Sequence, residues 1–504
     1  MANPLKQLAG QTVIYGLSTI LARIINFLFV PVYTRLLTPE SYGVVTEFMA
    51  YIAVLQVVLV MGLETGCFRF ANKEGVESRK VYSNAFVTVF CLSATFLALM
   101  IAFAGPISDA LGYAGYQSCI MYMGGILALD SVTAILFAKL RQENRALKFA
   151  VFKTIKIVTE TAANLVLFLW FPKYCVGVAS ARGLASVADL TASDVFLLRL
   201  VPAIPDFSYV IFSIFISCVV CGLLFIPEYL RLSYRLDPKL LRQMLAYSLP
   251  LMVAALPGVV NDFLDRILFR YFDTDAEAWR SSLGLYQAAV KLAVIMNLFI
   301  QMFRYAAEPF FFARGKNKEL LAQVMEYFTA FCVFIFLGVT MYMDIIGLIL
   351  GKDFRGAIGT VPFMLISYMI LGMLFNVSMW YKLSGETKYA INITLTGLAV
   401  TVAVNIAFMP LFSYWASVAA HVLSGLAMLL LSVWLGNRHY YIPYNWKKIC
   451  GYILCGLVLF GVSLLLQNIL GLEDSMWTKL GVNTVLLCGY MAYVAKQTGI
   501  LKRI

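Results

Sequence analysis

LAYSLPLMVAALPGVVNDFLDRILF (residues 245–269) is long and apolar enough to cross a bilayer, yet its second half carries Asn261, Asp262, Asp265 and Arg266. The next apolar segment, 283–303, has Lys291 near its middle. A membrane-crossing helix needs about 20 mostly apolar residues. A charged residue at its centre costs about 2.5–3.5 kcal/mol on insertion scales. Charges at that depth are expected to face one another or a water-filled cavity rather than lipid.

The rest of the chain follows the same pattern. It has 504 residues, 61% of them hydrophobic and 13% charged, the balance of a polytopic membrane protein rather than a soluble one. Apolar runs of spanning length occur at 12–33, 42–63, 81–104, 116–138, 150–171, 207–227 and 245–269. They continue at 283–303, 325–349, 361–381, 390–410, 413–435, 449–470 and 478–495, fourteen in all. The first run exceeds the core of a signal peptide and lacks a small-residue cleavage pattern, so it reads as a retained span. An even number of spans puts both termini on one side.

Lys and Arg choose that side. Alternate loops, beginning with the one containing Lys6, hold 23 basic residues against 9 in the other set, which places both termini in the cytoplasm. The same asymmetry accounts for the net charge of +12, and no aromatic-interleaved basic patch points to nucleic acid. Nine of the ten cysteines fall in or beside apolar runs, at spacings that suit neither a disulfide framework nor a zinc site. No catalytic residue, metal site or cofactor is expected. SGETK at 384–388 lacks the upstream glycine of a phosphate-binding loop, so direct ATP use is not expected either. The longest segment between spans, 172–206, contains ASVADLTASDVFLLRLV, which reads as an interfacial helix ended by Pro202 and Pro205.

The charges within spans or at their ends are few. Arg23 lies mid-span in STILARIINFLFVP with no acid within a helical turn. It is expected either to pair with an acid on another helix or to stand as a fixed cation in a solvated cavity, since an arginine cannot lose its proton. Asp262 and Arg266 are four residues apart and share a helix face, with Asp265 close to it. Lys291 is open to pairing with these acids or to lining a cavity. Asp130 and Glu160 read as isolated intramembrane carboxylates, suited either to ion coupling or to interhelical hydrogen bonding. Glu47 reads as near enough to an interface to be solvated, and Lys153 and Lys156 as snorkelling to one. Arg304 and Glu308 form an i,i+4 pair at the cytoplasmic end of span eight. Spans thirteen and fourteen carry no charge beyond Lys479 at the edge of the fourteenth and read as free to face lipid on all sides. This distribution favours a carrier assembled from two repeats.

Six stretches carry a family likeness. They are LKQLAGQTVIYGLSTILARIINFLFVPVYTRLLTPESYGVVTEF (5–48), GLETGCFRFA (62–71), AKLRQENRALKFA (138–150), YSLPLMVAALPGVVNDFLDRILF (247–269), FRYAAEPFFFA (303–313) and NVSMWYKLSGETKY (376–389). Together they resemble the polysaccharide-transporter branch of the MOP flippase superfamily, the Wzx-like flippases of O-antigen and capsule. The resemblance implies an all-α protein of fourteen transmembrane helices. Two six-helix lobes in a V-shaped arrangement (1–230 and 231–440) would be followed by two further helices and a cytoplasmic tail (441–504).

It further implies a non-enzymatic flippase of the bacterial inner membrane. Such a protein moves an undecaprenyl-pyrophosphate-linked oligosaccharide from the cytoplasmic to the periplasmic leaflet by alternating access. Arg23, Arg266 and Lys291 are assigned to the head group, and spans thirteen and fourteen to the lipid tail. Asp130, Glu160, Asp262 and Asp265 are the candidates for proton or sodium coupling. Glycan polymerase or assembly proteins are the implied partners, beside membrane lipids. The competing readings are a lipid II flippase and a multidrug or organic-cation antiporter of the same superfamily; the antiporter's cavity would be dominated by acids.

Overall fold

The computed structural model describes residues 20–21, 23–73, 75–191, 193–314, 317–469 and 475–498. The start of the first expected span, Lys6, Lys316 and the expected tail at 499–504 lie outside the described residues. Every regular element among the described residues is helical. Lipid offers a peptide group no hydrogen-bond partner, so a spanning segment must satisfy its backbone internally, as a helix does. Among the described residues, twelve helices are long and apolar enough to cross a membrane, and they coincide with the second to thirteenth expected spans. The fourteenth segment is a 23-residue helix, Met476–Thr498.

The chain forms two compact units. One takes in Leu36–Ile267 and the chain before Val30; the other takes in Val30–Arg35 and the chain from Leu268 on. In the first unit, the helices are α1 (Pro39–Val60), α2 (Leu63–Ala71), α3 (Ser78–Ala102), α4 (Gln117–Gln142), α5 (Ala146–Leu165), α6 (Phe171–Ala181), α7 (Phe207–Leu224) and most of α8 (Pro238–Phe272). Helix α4 packs against α1, α3 and α7, and α5 packs against α7. Their shared core includes Leu63, Tyr82, Leu136, Phe137 and Phe225.

The unit boundary falls inside α8 because that helix docks on α2 at backbone distance. Met61 and Gly62 break the helix with φ of 53° and 66°. A Cβ on Gly62 would stand 2.6 Å from the Ser248 carbonyl oxygen, and one on Gly66 2.1 Å from the Ser248 hydroxyl. The glycines of GLETG thus permit close approach of the two helices, as small residues do in membrane bundles.

Between α5 and α6 lies a π-helical turn, Val166–Trp170, with Pro172 at the start of the next helix, and the fifth expected span continues to Ala181. Cys175 is therefore buried within a helix, and all ten cysteines are free. The expected interfacial helix after it does not form. Only short 3-10 turns, Val187–Asp189 and Phe196–Arg199, are present. Asp189 accepts from the Ser186 N–H and Asp194 from the Thr191 N–H, so side chains take the donors that a helical ladder would use. Arg182 anchors the turn by pairing with Asp194.

The second unit is built on α9 (Trp279–Arg314), α10 (Lys318–Thr340), α11 (Val361–Val377), α12 (Tyr389–Phe412), α13 (Tyr414–His439), α14 (Trp446–Ile469) and α15 (Met476–Thr498). Helices α12 and α13 form a packed hairpin, α11 lies against α9 and α13, and α14 and α15 pack on α10. The last two helices do not face lipid on all sides. Asn483 donates to the Met341 carbonyl at 2.5 Å and accepts from Ser463 at 2.6 Å, while Tyr490 donates to the Ala330 carbonyl at 2.9 Å. Uncharged polar side chains make these ties, so a search for charges in the sequence passes over them.

One buried carboxylate ties three helix ends in the first unit. Glu228 is 1% exposed and accepts from Lys139 at 3.0 Å, Arg145 at 2.9 Å and Lys148 at 2.6 Å. Burial works against its charge, but hydrogen bonds from Lys148 and Lys139 and their positive charges outweigh it and hold its pKa down at about 2. A depressed pKa means that this stabilisation is complete above the ordinary glutamate value and disappears as pH falls toward about 2. Glu228→Gln should lower stability at neutral pH by roughly 2 kcal/mol, less than a fully buried broken pair because Arg145 and Lys148 reach solvent. Thermal unfolding of the purified protein from pH 7 down to pH 3 should show a declining midpoint for the wild type. The variant should show a shallower decline.

Candidate functional site

Asp130 comes from α4, Lys153, Lys156 and Glu160 from α5, and Cys218 from α7, three helices packed in one unit. Lys156 Nζ lies 2.5 Å from Asp130 Oδ1, and the Cys218 thiol donates to the same oxygen at 3.4 Å. Asp130 is therefore not isolated, and Lys156 turns inward to it rather than snorkelling. Glu160 lies one turn beyond Lys156 on α5 and interacts electrostatically with both Lys156 and Asp130. Its backbone carbonyl accepts from Asn164 at 2.9 Å. Lys153 lies over the Phe137 ring at 4.4 Å. Two carboxylates and two ammonium groups thus cluster within the spanning helices and balance one another in formal charge, an arrangement that lowers the cost of placing ionisable groups inside a helix bundle.

The acids of the opening stretch sit differently from one another. Asp265 is buried and accepts from the backbone N–H of Arg266 at 2.8 Å, while Asp262 is exposed. The Arg266 guanidinium lies over the Phe263 ring at 4.6 Å and within electrostatic reach of Tyr42. Arg23 is exposed in the helical run Arg23–Leu28 and belongs to the first unit with Arg266; Lys291 is half-buried in α9 of the second unit.

Glu308 bonds Lys382 at 2.7 Å, a partner from another helix rather than from the i−4 position. Arg304 and Lys382 flank the Phe375 ring at 4.7 and 5.2 Å from its centroid. Lys382 was readable only as a loop cation, since nothing in its own segment announces Glu308.

Glu47 is fully buried, not solvated. Tyr51 donates to one carboxylate oxygen at 2.9 Å, and Tyr113 donates to the other. The Tyr113 ring also packs at a tilt against Phe48 and Phe207. In the second unit, an apolar groove of about 390 Å³ runs between α10 and α15, lined by Tyr327, Phe331, Phe334, Tyr490 and Met491 among others. Its volume lies within the range of small-molecule sites.

Against known proteins, the family described as polysaccharide biosynthesis protein matches residues 8–313, more than half of the chain. The chain belongs to that family. No curated protein matches it by sequence. Its fold is shared with the lipid II flippase MurJ in an inward closed conformation, with a TM-score of 0.71 and 13% identity over 96% of this chain and 99% of that one. It is also shared with a MATE protein in complex with MaD3S, at 0.57 and 13% over 87% and 96% of the two chains. A multidrug resistance MATE family transporter of the MOP superfamily, inward-facing, gives 0.54 and 14% over 82% and 93%. The protein is thus a membrane member of the polysaccharide biosynthesis family with the MOP-superfamily fold.

For this family member, Asp130→Asn should cost roughly 2 kcal/mol by leaving Lys156 without its counter-charge, and Asp130→Asn/Lys156→Gln should recover most of that loss. Thermal unfolding of both variants checks the pair. Equal destabilisation by the single and double changes would show that the ion pair is not what holds α4 to α5.

Proposed function

We propose that this protein is a non-enzymatic flippase that carries an undecaprenyl-pyrophosphate-linked oligosaccharide, of the O-antigen or capsule type, across the bacterial inner membrane. Transport runs by alternating access from the cytoplasmic to the periplasmic leaflet, with both termini cytoplasmic. The observation that carries the reading is the family match at residues 8–313, which contains every basic residue assigned to the head group: Arg23, Arg266 and Lys291. A diphosphate in a low-dielectric setting attracts fixed cations strongly, and a guanidinium can contact two of its oxygens at once. The groove between α10 and α15 supports the reading from the other end of the substrate, since its wall is almost wholly apolar and suits a polyprenyl tail.

Coupling to a proton or sodium gradient is assigned to Asp130, Glu160, Asp262 and Asp265, and no cofactor enters the cycle. Glycan polymerase or assembly proteins are the proposed partners. Arg23→Ala and Lys291→Ala should each reduce surface-glycan export by more than about tenfold, the scale of losing one charge-assisted contact. Their protein levels in the membrane should stay normal. Export at wild-type level by both variants would overturn the assignment.

A further inference from the structure

The charges around Glu228 do not balance. Lys139, Arg145, Lys148 and Arg231 all reach its carboxylate, within 3.6 Å for the most distant. Glu143, 3.7 Å from Lys139 and 3.5 Å from Arg145, is the second acid of the group. Four cations against two carboxylates leave a surplus of two positive charges. The nearby Arg141 adds nothing to it, being matched by Glu64 at 3.2 Å. Helix α5 starts at Ala146 with Lys148 in its first turn and no acid there, so the positive end of its dipole adds to the surplus.

A second, independent feature surrounds this charge. Leu147, beside Lys148, is 73% exposed, and Leu230, beside Arg231, is 78% exposed. Tyr234 and Leu236 are exposed on the same linker, interleaved with Arg231 and the exposed Arg235. A solvent-facing loop has no reason to alternate bare leucines with arginines. A surface at the headgroup level of a bilayer does, since its cations meet phosphates while its apolar side chains enter the acyl boundary. Both segments connect spans at the same end of the unit, where Lys and Arg are in excess.

We infer that the rim of the Glu228 cluster, formed by Arg145, Lys148, Arg231 and Arg235 with Leu147 and Leu230, is a docking site for the headgroup of an anionic phospholipid. Glu228 holds the cations in place, and the surplus charge is left for the lipid phosphate. The site uses none of the proposed head-group residues and does not depend on the transport reading.

Native mass spectrometry of the full-length protein in detergent, titrated with phosphatidylglycerol and phosphatidylcholine, tests the inference. The wild type should bind phosphatidylglycerol more tightly. Arg231→Gln/Arg235→Gln alters only exposed side chains and should weaken that binding about fivefold per guanidinium removed, the worth of one cation at an anionic membrane surface. Leu230→Ser should weaken both lipids alike. Lys388→Gln, a surface cation paired with Glu386 outside the cluster, should leave binding unchanged.

Unaltered phosphatidylglycerol affinity in the double arginine variant would overturn the site, as would an equal loss in Lys388→Gln. Inorganic phosphate should compete only weakly. If it displaced the lipid at matched concentration, the site would be one for a free anion and the lipid assignment would fall.

Discussion

A bilayer interior supplies neither hydrogen-bond partners nor counter-ions, and that constraint shapes the described structure. The backbone closes on itself as helix. Within the spanning helices of the first unit Lys156 takes Asp130, with Glu160 and Lys153 beside them on α5. Where the chain lacks charge, uncharged polar groups make the ties, as Asn483 does between α14, α15 and the end of α10. Helix packing in lipid has no hydrophobic driving force of its own, so such bonds and close small-residue contacts determine which helices meet.

That constraint also explains what was legible from residues alone. Span length and apolar content are one-dimensional properties, and twelve helices fall where the apolar runs put them. The family likeness was legible because it rests on stretches such as GLETGCFRFA, whose glycines admit a neighbouring backbone. Pairing was not legible. Asp130 and Lys156 are 26 residues apart on different helices, and Glu228 meets cations 80 to 89 residues before it. No periodicity encodes such distances. Reading each charge against its own helix made Asp130 seem isolated and sent Lys156 to the interface.

Glu47 shows a related failure. Distance from the end of a span suggested water, but solvation depends on what folds over that end. Here the segment bearing Tyr113 delivers a phenol to the carboxylate and two aromatic contacts around it. The loop after α6 fails the other way. Its apolar pattern suits an interfacial helix, yet Asp189 and Asp194 claim the N–H groups such a helix would need. In both places a local hydrogen bond overrides the pattern, because a single satisfied polar group outweighs the weak preference that a short apolar run expresses.

The two charge clusters of the first unit then divide a task between depth and surface. At depth, Asp130, Glu160, Lys153 and Lys156 balance within one bundle, which keeps the cost of burial low. At the helix ends the balance is given up. Glu228 gathers more cations than it can neutralise, and the excess stands where water, phosphate and acyl chains meet. Neutral inside and positive at the rim is the sorting that lets a helix bundle carry ionisable groups through lipid and still hold a fixed depth in it.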